Sequence, residues 1–245
     1  REGCMNTMKI LLALLGLFVL GALGGIWAQS SVMPYLASHN AFQNWRFVQE
    51  WNQRTTVIRP TTQIVLTENE ARERLVDQVK DAVVGVRAQS GTRVLLGSGF
   101  IAYSDGLIVT IADLVPAGFQ VSVYLNEEPE RAQVLKRDIA NNLVLLKIER
   151  RNLRTLEFAP GVSAGRSVTL VGKEVGQQDI LTSVNYGVVK SIGEEVFKTT
   201  MTEKSFLSGA PLFDREGRLA GLAVFEPDRS VNGIPASVLR FFLGF

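Results

Sequence analysis

The hydrophobic rhythm of the chain changes at several points, and each change predicts a different element. Ile10 to Ala28, ILLALLGLFVLGALGGIWA, carries no charge. At ~1.5 Å of helical rise per residue, the run matches the hydrocarbon thickness of a bilayer and predicts a transmembrane signal-anchor helix. A cleaved secretory leader is the competing reading, with Lys9 as its positive start and Ala28 at the cleavage position. The apolar run is, however, longer than the ~7–15 residues of a leader core. Residues 29–66 form an extracytoplasmic juxtamembrane linker, with a short helix expected in its aromatic part and the polar stretch NQRTTVIRPTTQ after it. Its aromatic stretch, Tyr35 to Trp51, spreads Phe42, Trp45 and Trp51 over too wide an arc for one helix face, leaving headgroup contact and packing on the domain both open. At Thr67 to Glu70 a capping box opens a short amphipathic helix, in which Ala71, Leu75, Val79 and Ala82 recur at helical spacing between charged residues.

From Val83 onward the period shortens. The chain becomes a succession of β-rich runs: AVVGVRA, RVLLGSGFIAY, LIVTIA, QVSVYL, RAQVLKR, NLVLLKIE, SVTLVG, LTSVNYGVVKSI, VFKTTM, PLFD and LAGLAVFE. Asp105-Gly106 and Glu216-Gly217 mark tight reversals between antiparallel neighbours. So many short strands at this spacing predict an all-β barrel or sandwich architecture, not a parallel α/β sheet. PASVLRFF reads as a closing helix.

Charge and composition narrow the function without naming it. The net charge of +2 is near balance, and no Lys/Arg cluster is interleaved with aromatics, so no nucleic-acid partner is expected. Cys4 is the single cysteine. It lies outside the domain, so neither a disulfide framework nor a Cys/His metal site is expected, and no cofactor. Lys9 precedes the apolar run and the first charge after it is Arg46. The positive-inside rule therefore leaves residues 1–9 cytoplasmic and sends residues 29–245 out of the cytoplasm, tethered to the cell membrane through residues 10–28. The start, Arg-Glu-Gly-Cys ahead of Met5 and Met8, reads as an over-extended start or a fragment edge.

The order and text of the β-rich runs carry a resemblance. GSGFIAYSDGLIVTIADLV, AQVLKRDIANNLVLLKI and FLSGAPLFDREGRLAGL are similar, in this order, to three blocks of the trypsin-like protease domain of the HtrA/Deg family. The resemblance covers roughly residues 75–239. It implies a fold of two six-stranded antiparallel β-barrels of the chymotrypsin type over residues 67–245, with no PDZ module expected after them. Position by position, it puts the nucleophilic serine at Ser208, the general-base histidine at Asp113 and the orienting aspartate at Asn142. The glycine whose N–H helps form the oxyanion hole corresponds to Phe206, beside the N–H of Ser208. Asp138 is an acid retained in the second block, but it is not at the triad position.

These departures bear directly on chemistry. A serine hydroxyl attacks near neutral pH only when a base within hydrogen-bond reach takes its proton. A carboxylate is a much weaker base than imidazole, and an asparagine cannot stabilise a developing cation. A β-carbon at position 206 disfavours the backbone shape of an oxyanion hole. The bland readings are that Ser208 is a small packing residue, that Asp113 caps the short helix after it, and that Asn142 is a turn residue beside Asn141. Lys204 invites a Ser-Lys dyad, which needs a buried, deprotonated amine. The sequence thus predicts a membrane-anchored, extracytoplasmic trypsin-like pseudoprotease that binds a peptide or protein partner in the former substrate cleft. The alternatives are an active serine endopeptidase using Ser208 in a rearranged site, and an inert module of an envelope assembly.

Overall fold

The structure is a computed structural model that describes residues 68–244 apart from 126–127 and 177–178, together with residues 15–18, 20–22, 24–25 and 27. The latter positions are helical and exposed. No helix among the described residues is long and apolar enough to cross a membrane. The rest of the 10–28 run, the 29–66 linker with its aromatic stretch, and the Thr67 cap lie outside the described residues.

The amphipathic helix predicted after Thr67 is α1, Glu68–Val79. Leu75, Val79 and Ala82 point inward, at 6%, 1% and 0% exposure, whereas Ala71 stays exposed. The buried stripe is thus one turn shorter than the spacing suggested. The closing helix is α2, Ala236–Leu243, which buries Leu239 and Phe242.

Twelve strands lie between the helices. β1 (Val83–Ser90), β2 (Arg93–Tyr103), β3 (Leu107–Ile111), β4 (Gln120–Tyr124), β5 (Pro129–Asp138) and β6 (Leu143–Lys147) close in the order β1-β2-β3-β6-β5-β4. The second set is β7 (Ser167–Val175), β8 (Ile180–Ile192), β9 (Phe197–Thr202), β10 (Pro211–Phe213), β11 (Leu219–Phe225) and β12 (Ser230–Pro235). It closes in the order β10-β11-β12-β9-β8-β7. Every pairing within the two barrels is antiparallel. Closure leaves neither barrel an open sheet edge. The predicted reversals at Asp105-Gly106 and Glu216-Gly217 join β2 to β3 and β10 to β11. β12 is the strand that the β-rich runs did not include: SVNGIP mixes polar, small and proline residues, and its strand character comes from pairing with β11 and β9.

Strand alternation sends one set of side chains to each barrel interior. One core gathers Phe100, Ile101, Ile108, Leu143 and Leu146 and continues through Val171, Leu219 and Leu222 to α2. The other fills the second barrel around Phe197, Met201 and Leu212. The side chains of Phe100, Phe197 and Phe213 are fully buried, and burial of this kind contributes ~1.5–3 kcal/mol for each large apolar side chain. The packed seam between the barrels holds the end of β3 against the turn that precedes β10, where the candidate site lies.

Candidate active-site region

Ser208 sits in the turn between a single 3-10 turn, Ser205–Leu207, and β10. The turn is clamped from behind. The N–H of Ser98 on β2 donates to the Ser208 carbonyl at 2.8 Å, the Gly209 N–H donates to Ala223 O at 2.8 Å, and the Ala223 N–H returns a bond to Ala210 O at 2.8 Å. The Thr110 hydroxyl on β3 donates to the Ser98 carbonyl at 2.6 Å, with both residues fully buried. The contacts leave no room for side chains at two glycines. A Cβ on Gly97 would lie 2.5 Å from Ser208 O, and one on Gly209, whose φ is +79°, would lie 2.5 Å from both Ser98 O and Thr110 Oγ1.

Ser98 also ties this clamp to the other barrel. Its hydroxyl donates to Lys173 O at 3.2 Å and accepts from the Lys173 N–H at 2.9 Å. Sequence reading missed Ser98 and Thr110. The available signal was a serine between two glycines and a threonine inside an otherwise apolar strand, where a hydroxyl must find a backbone partner.

Asp113 and Asn142 are brought together, as the resemblance implies for a base and its orienter. Asn142 Nδ2 donates to Asp113 Oδ2 at 2.8 Å, the Asp113 N–H donates to Asn142 Oδ1 at 3.0 Å, and the Ala112 N–H donates to Asn142 O at 3.0 Å. Asp113 is exposed, within the 3-10 turn Ala112–Leu114. It does not cap that turn, as the bland reading had it: the N-cap position is Ile111, and no side chain bonds there. The carboxylate instead accepts from the amide across the loop. Asn142 has φ +55°, a left-handed conformation that asparagine tolerates better than most residues, so it is both a turn residue and the partner of Asp113.

Asp138, outside the triad position in the sequence reading, braces that turn. It accepts the Asn141 N–H at 3.1 Å and Asn141 Nδ2 at 2.7 Å. These bonds, the side-chain one first, hold its carboxyl below the usual range.

The front of the site is less complete. Among the described residues, no group makes a hydrogen bond to the Ser208 hydroxyl, Asp113 included. Phe206 lies in the 3-10 turn and outside the left-handed region. The neighbouring Leu207 N–H donates to Lys204 O at 3.3 Å and the Ala210 N–H to Leu207 O at 3.0 Å, which sets the shape of the turn on either side of Ser208. Lys204 is exposed, with its ammonium 5.8 Å from the Phe206 ring centroid, so it lacks the burial that a Ser-Lys dyad requires. An open cavity of about 650 Å³ adjoins Ser208, with Phe206 and Phe225 as aromatic walls and Glu203, Glu226 and Arg229 around it. Glu203 accepts from Asn185 Nδ2 at 2.8 Å and Glu226 from Asn232 Nδ2 at 2.9 Å. No cluster of His, Cys, Asp and Glu among the described residues could hold a metal ion.

The same region carries the likeness to known proteins. The family model described as "Trypsin-like peptidase domain" matches residues 97–222, just over half of the chain. A probable periplasmic serine endoprotease DegP-like from Halomonas elongata is 28% identical over 146 residues, 56% of this chain and 31% of that protein. Its namesake from Bartonella henselae is 27% identical over 161 residues, 59% of this chain and 31% of that protein. The chain thus spans about a third of the length of these curated relatives. Among solved structures, a serine endoprotease from Yersinia pestis superposes with a TM-score of 0.63 at 22% identity, over 70% of this chain and 65% of that one. The Rv3671c protease from M. tuberculosis, in its active form, gives 0.64 at 20% identity, over 73% and 86%. With the three sequence blocks, the two closed barrels and the family match all in agreement, the chain belongs to the trypsin-like peptidase domain family, and its relatives are of the HtrA/Deg kind.

Proposed function

We propose that this chain is a catalytically silent trypsin-like domain that acts by binding an extended peptide or protein segment beside Ser208. One observation carries the reading. Asp113 and Asn142 satisfy each other across the loop, while the Ser208 hydroxyl has no described group positioned to take its proton. A base contributes typically 10²–10⁴-fold, and no described group stands where one would act on Ser208. The cavity walled by Phe206 and Phe225 remains available to a ligand side chain.

We further propose that the domain works outside the cytoplasm, tethered to the membrane through residues 10–28. Support comes from the uncharged run itself, from the position of Lys9 before it, and from the periplasmic naming of the DegP-like relatives.

A fluorophosphonate probe applied to the full chain and to Ser208→Ala tests the silent site. The expected result is equal, background labelling of both, with peptides bound but not turned over. Serine-dependent labelling would establish an endopeptidase with a rearranged site. Failure of the chain to capture any peptide from a library, with Phe225→Ala behaving like the parent, would leave the inert module as the correct role.

A further inference from the structure

A second cavity, away from Ser208, holds a half-buried cation with no ion-pair partner among the described residues. It opens over about 600 Å³ between the barrels, with Leu125, Leu153 and Ile180 as its apolar walls and Glu128, Glu130, Arg150 and Lys173 as charged ones. Two of these charges neutralise each other, since Arg150 Nε lies 2.5 Å from Glu130 Oε1. Lys173 is different. Among the described residues, no carboxylate forms an ion pair with its ammonium and no group accepts a hydrogen bond from it.

The backbone that carries Lys173 is nevertheless fixed. The buried Ser98 hydroxyl holds both the N–H and the C=O of its backbone, and β7 crosses β1 at Gly85, where an added Cβ would lie 3.5 Å from Lys173 Cβ. Burial pushes the ammonium below its usual pKa. Asp81 offsets this only from a distance, and Lys80 adds to it. A partly desolvated cation on a fixed backbone, with no partner among the described residues, gains by meeting an anion.

We propose that this cavity binds a small carboxylate carried on an aliphatic chain, with the carboxylate on Lys173 and the chain against Leu125, Leu153 and Ile180. The described charges of the lining balance, two acidic against two basic, so Lys173 offers room for one negative charge and no more. Arg150 is already paired, and Glu128, exposed at the edge of the cavity, disfavours a second negative charge such as that of a phosphate monoester. The volume falls within the ~300–1,000 Å³ of small-ligand sites.

The test is calorimetric titration of the full chain with octanoate and with a blocked tripeptide ending in valine. 1-Octanol and the valine amide of the same peptide serve as neutral matches. One or both carboxylates should bind at least about tenfold more tightly than their matches, as expected for a charge-assisted hydrogen bond, and the pattern tells a free acid from a peptide end. Lys173→Met should remove the difference while leaving the melting temperature unchanged or higher. Ile180→Glu, which brings its own carboxylate, should block binding. Equal binding of acid and neutral match, or of parent and Lys173→Met, would overturn the proposal. So would a marked loss of stability in Lys173→Met, because the ammonium would then have a structural partner already. None of these outcomes depends on whether Ser208 is silent.

Discussion

The back and the front of the Ser208 turn differ in a way that explains the molecule. Behind the turn, Ser98, Thr110, Gly209, Ala210 and Ala223 are buried and joined by short hydrogen bonds between strands of both barrels. In front, Ser208 is half-buried, Asp113 is exposed, and Asp113, Asn142 and Phe206 stand where the sequence resemblance places a histidine, an aspartate and a glycine. The back is constrained by packing and by backbone polar groups that must be paired, whatever the domain does. The front is constrained only by chemistry. Its substituted residues therefore leave the fold untouched, and the contrast can be attacked from either side.

The largest effect is expected from rebuilding the front on the existing back. In the variant Asp113→His/Asn142→Asp/Phe206→Gly, the base, its orienter and a glycine at the oxyanion position return together. Fluorophosphonate labelling of Ser208 should rise by ~10³-fold or more over the parent. Asp113→His alone should achieve little, because groups that act as a unit are not additive. A parent chain that labels as fast as the triple variant would mean the front was never silent.

Damage to the back should instead cost stability. Gly209→Val forces a branched side chain onto a residue at φ +79° whose Cβ would lie 2.5 Å from Ser98 O and Thr110 Oγ1. A loss of about 3–5 kcal/mol is expected in denaturant unfolding. Thr110→Val keeps the shape but leaves the Ser98 carbonyl without its 2.6 Å donor, for a loss of about 1–3 kcal/mol. If Thr110→Val were neutral, the clamp would be held by the backbone bonds alone.

The same contrast explains what was legible in the sequence. Strands came through nearly residue for residue where an apolar run was bounded by turn residues, as in RVLLGSGFIAY, which became β2 without a shift of boundary although most of it is buried on both faces. β12 was not legible, because its strand character depends on neighbours distant in sequence. The pairing of Asp113 with Asn142 followed from the resemblance, but their mutual hydrogen bonds did not: a side-chain contact between residues 29 apart in the chain depends on how two loops settle. The second cavity left no signal at all. Lys173 reads as an ordinary strand lysine until the seam closes over it.

The smallest effect joins back to front. Asp138 carries neither chemistry nor core packing, yet it braces the turn that presents Asn142. Its carboxyl is held low mainly by the Asn141 amide and then by the Asn141 N–H. A depressed folded-state pKa stabilises the fold fully above the ordinary carboxylate value of ~3.9, and the contribution is lost as pH falls through the lower folded value. The group is largely solvated, so the effect should stay below about 1 kcal/mol. Asp228, lowered by its bonds to Ser230, gives a similar acid dependence of its own. The quantity to measure is therefore the difference in unfolding free energy between the parent and Asp138→Asn from pH 6 to pH 2. It should be flat above pH 5 and shrink below pH 4, because protonation then removes from the parent what the amide never had. A difference that does not change with pH would mean that Asp138 supports the turn by shape alone, and that Asn142 owes its position to its own left-handed backbone.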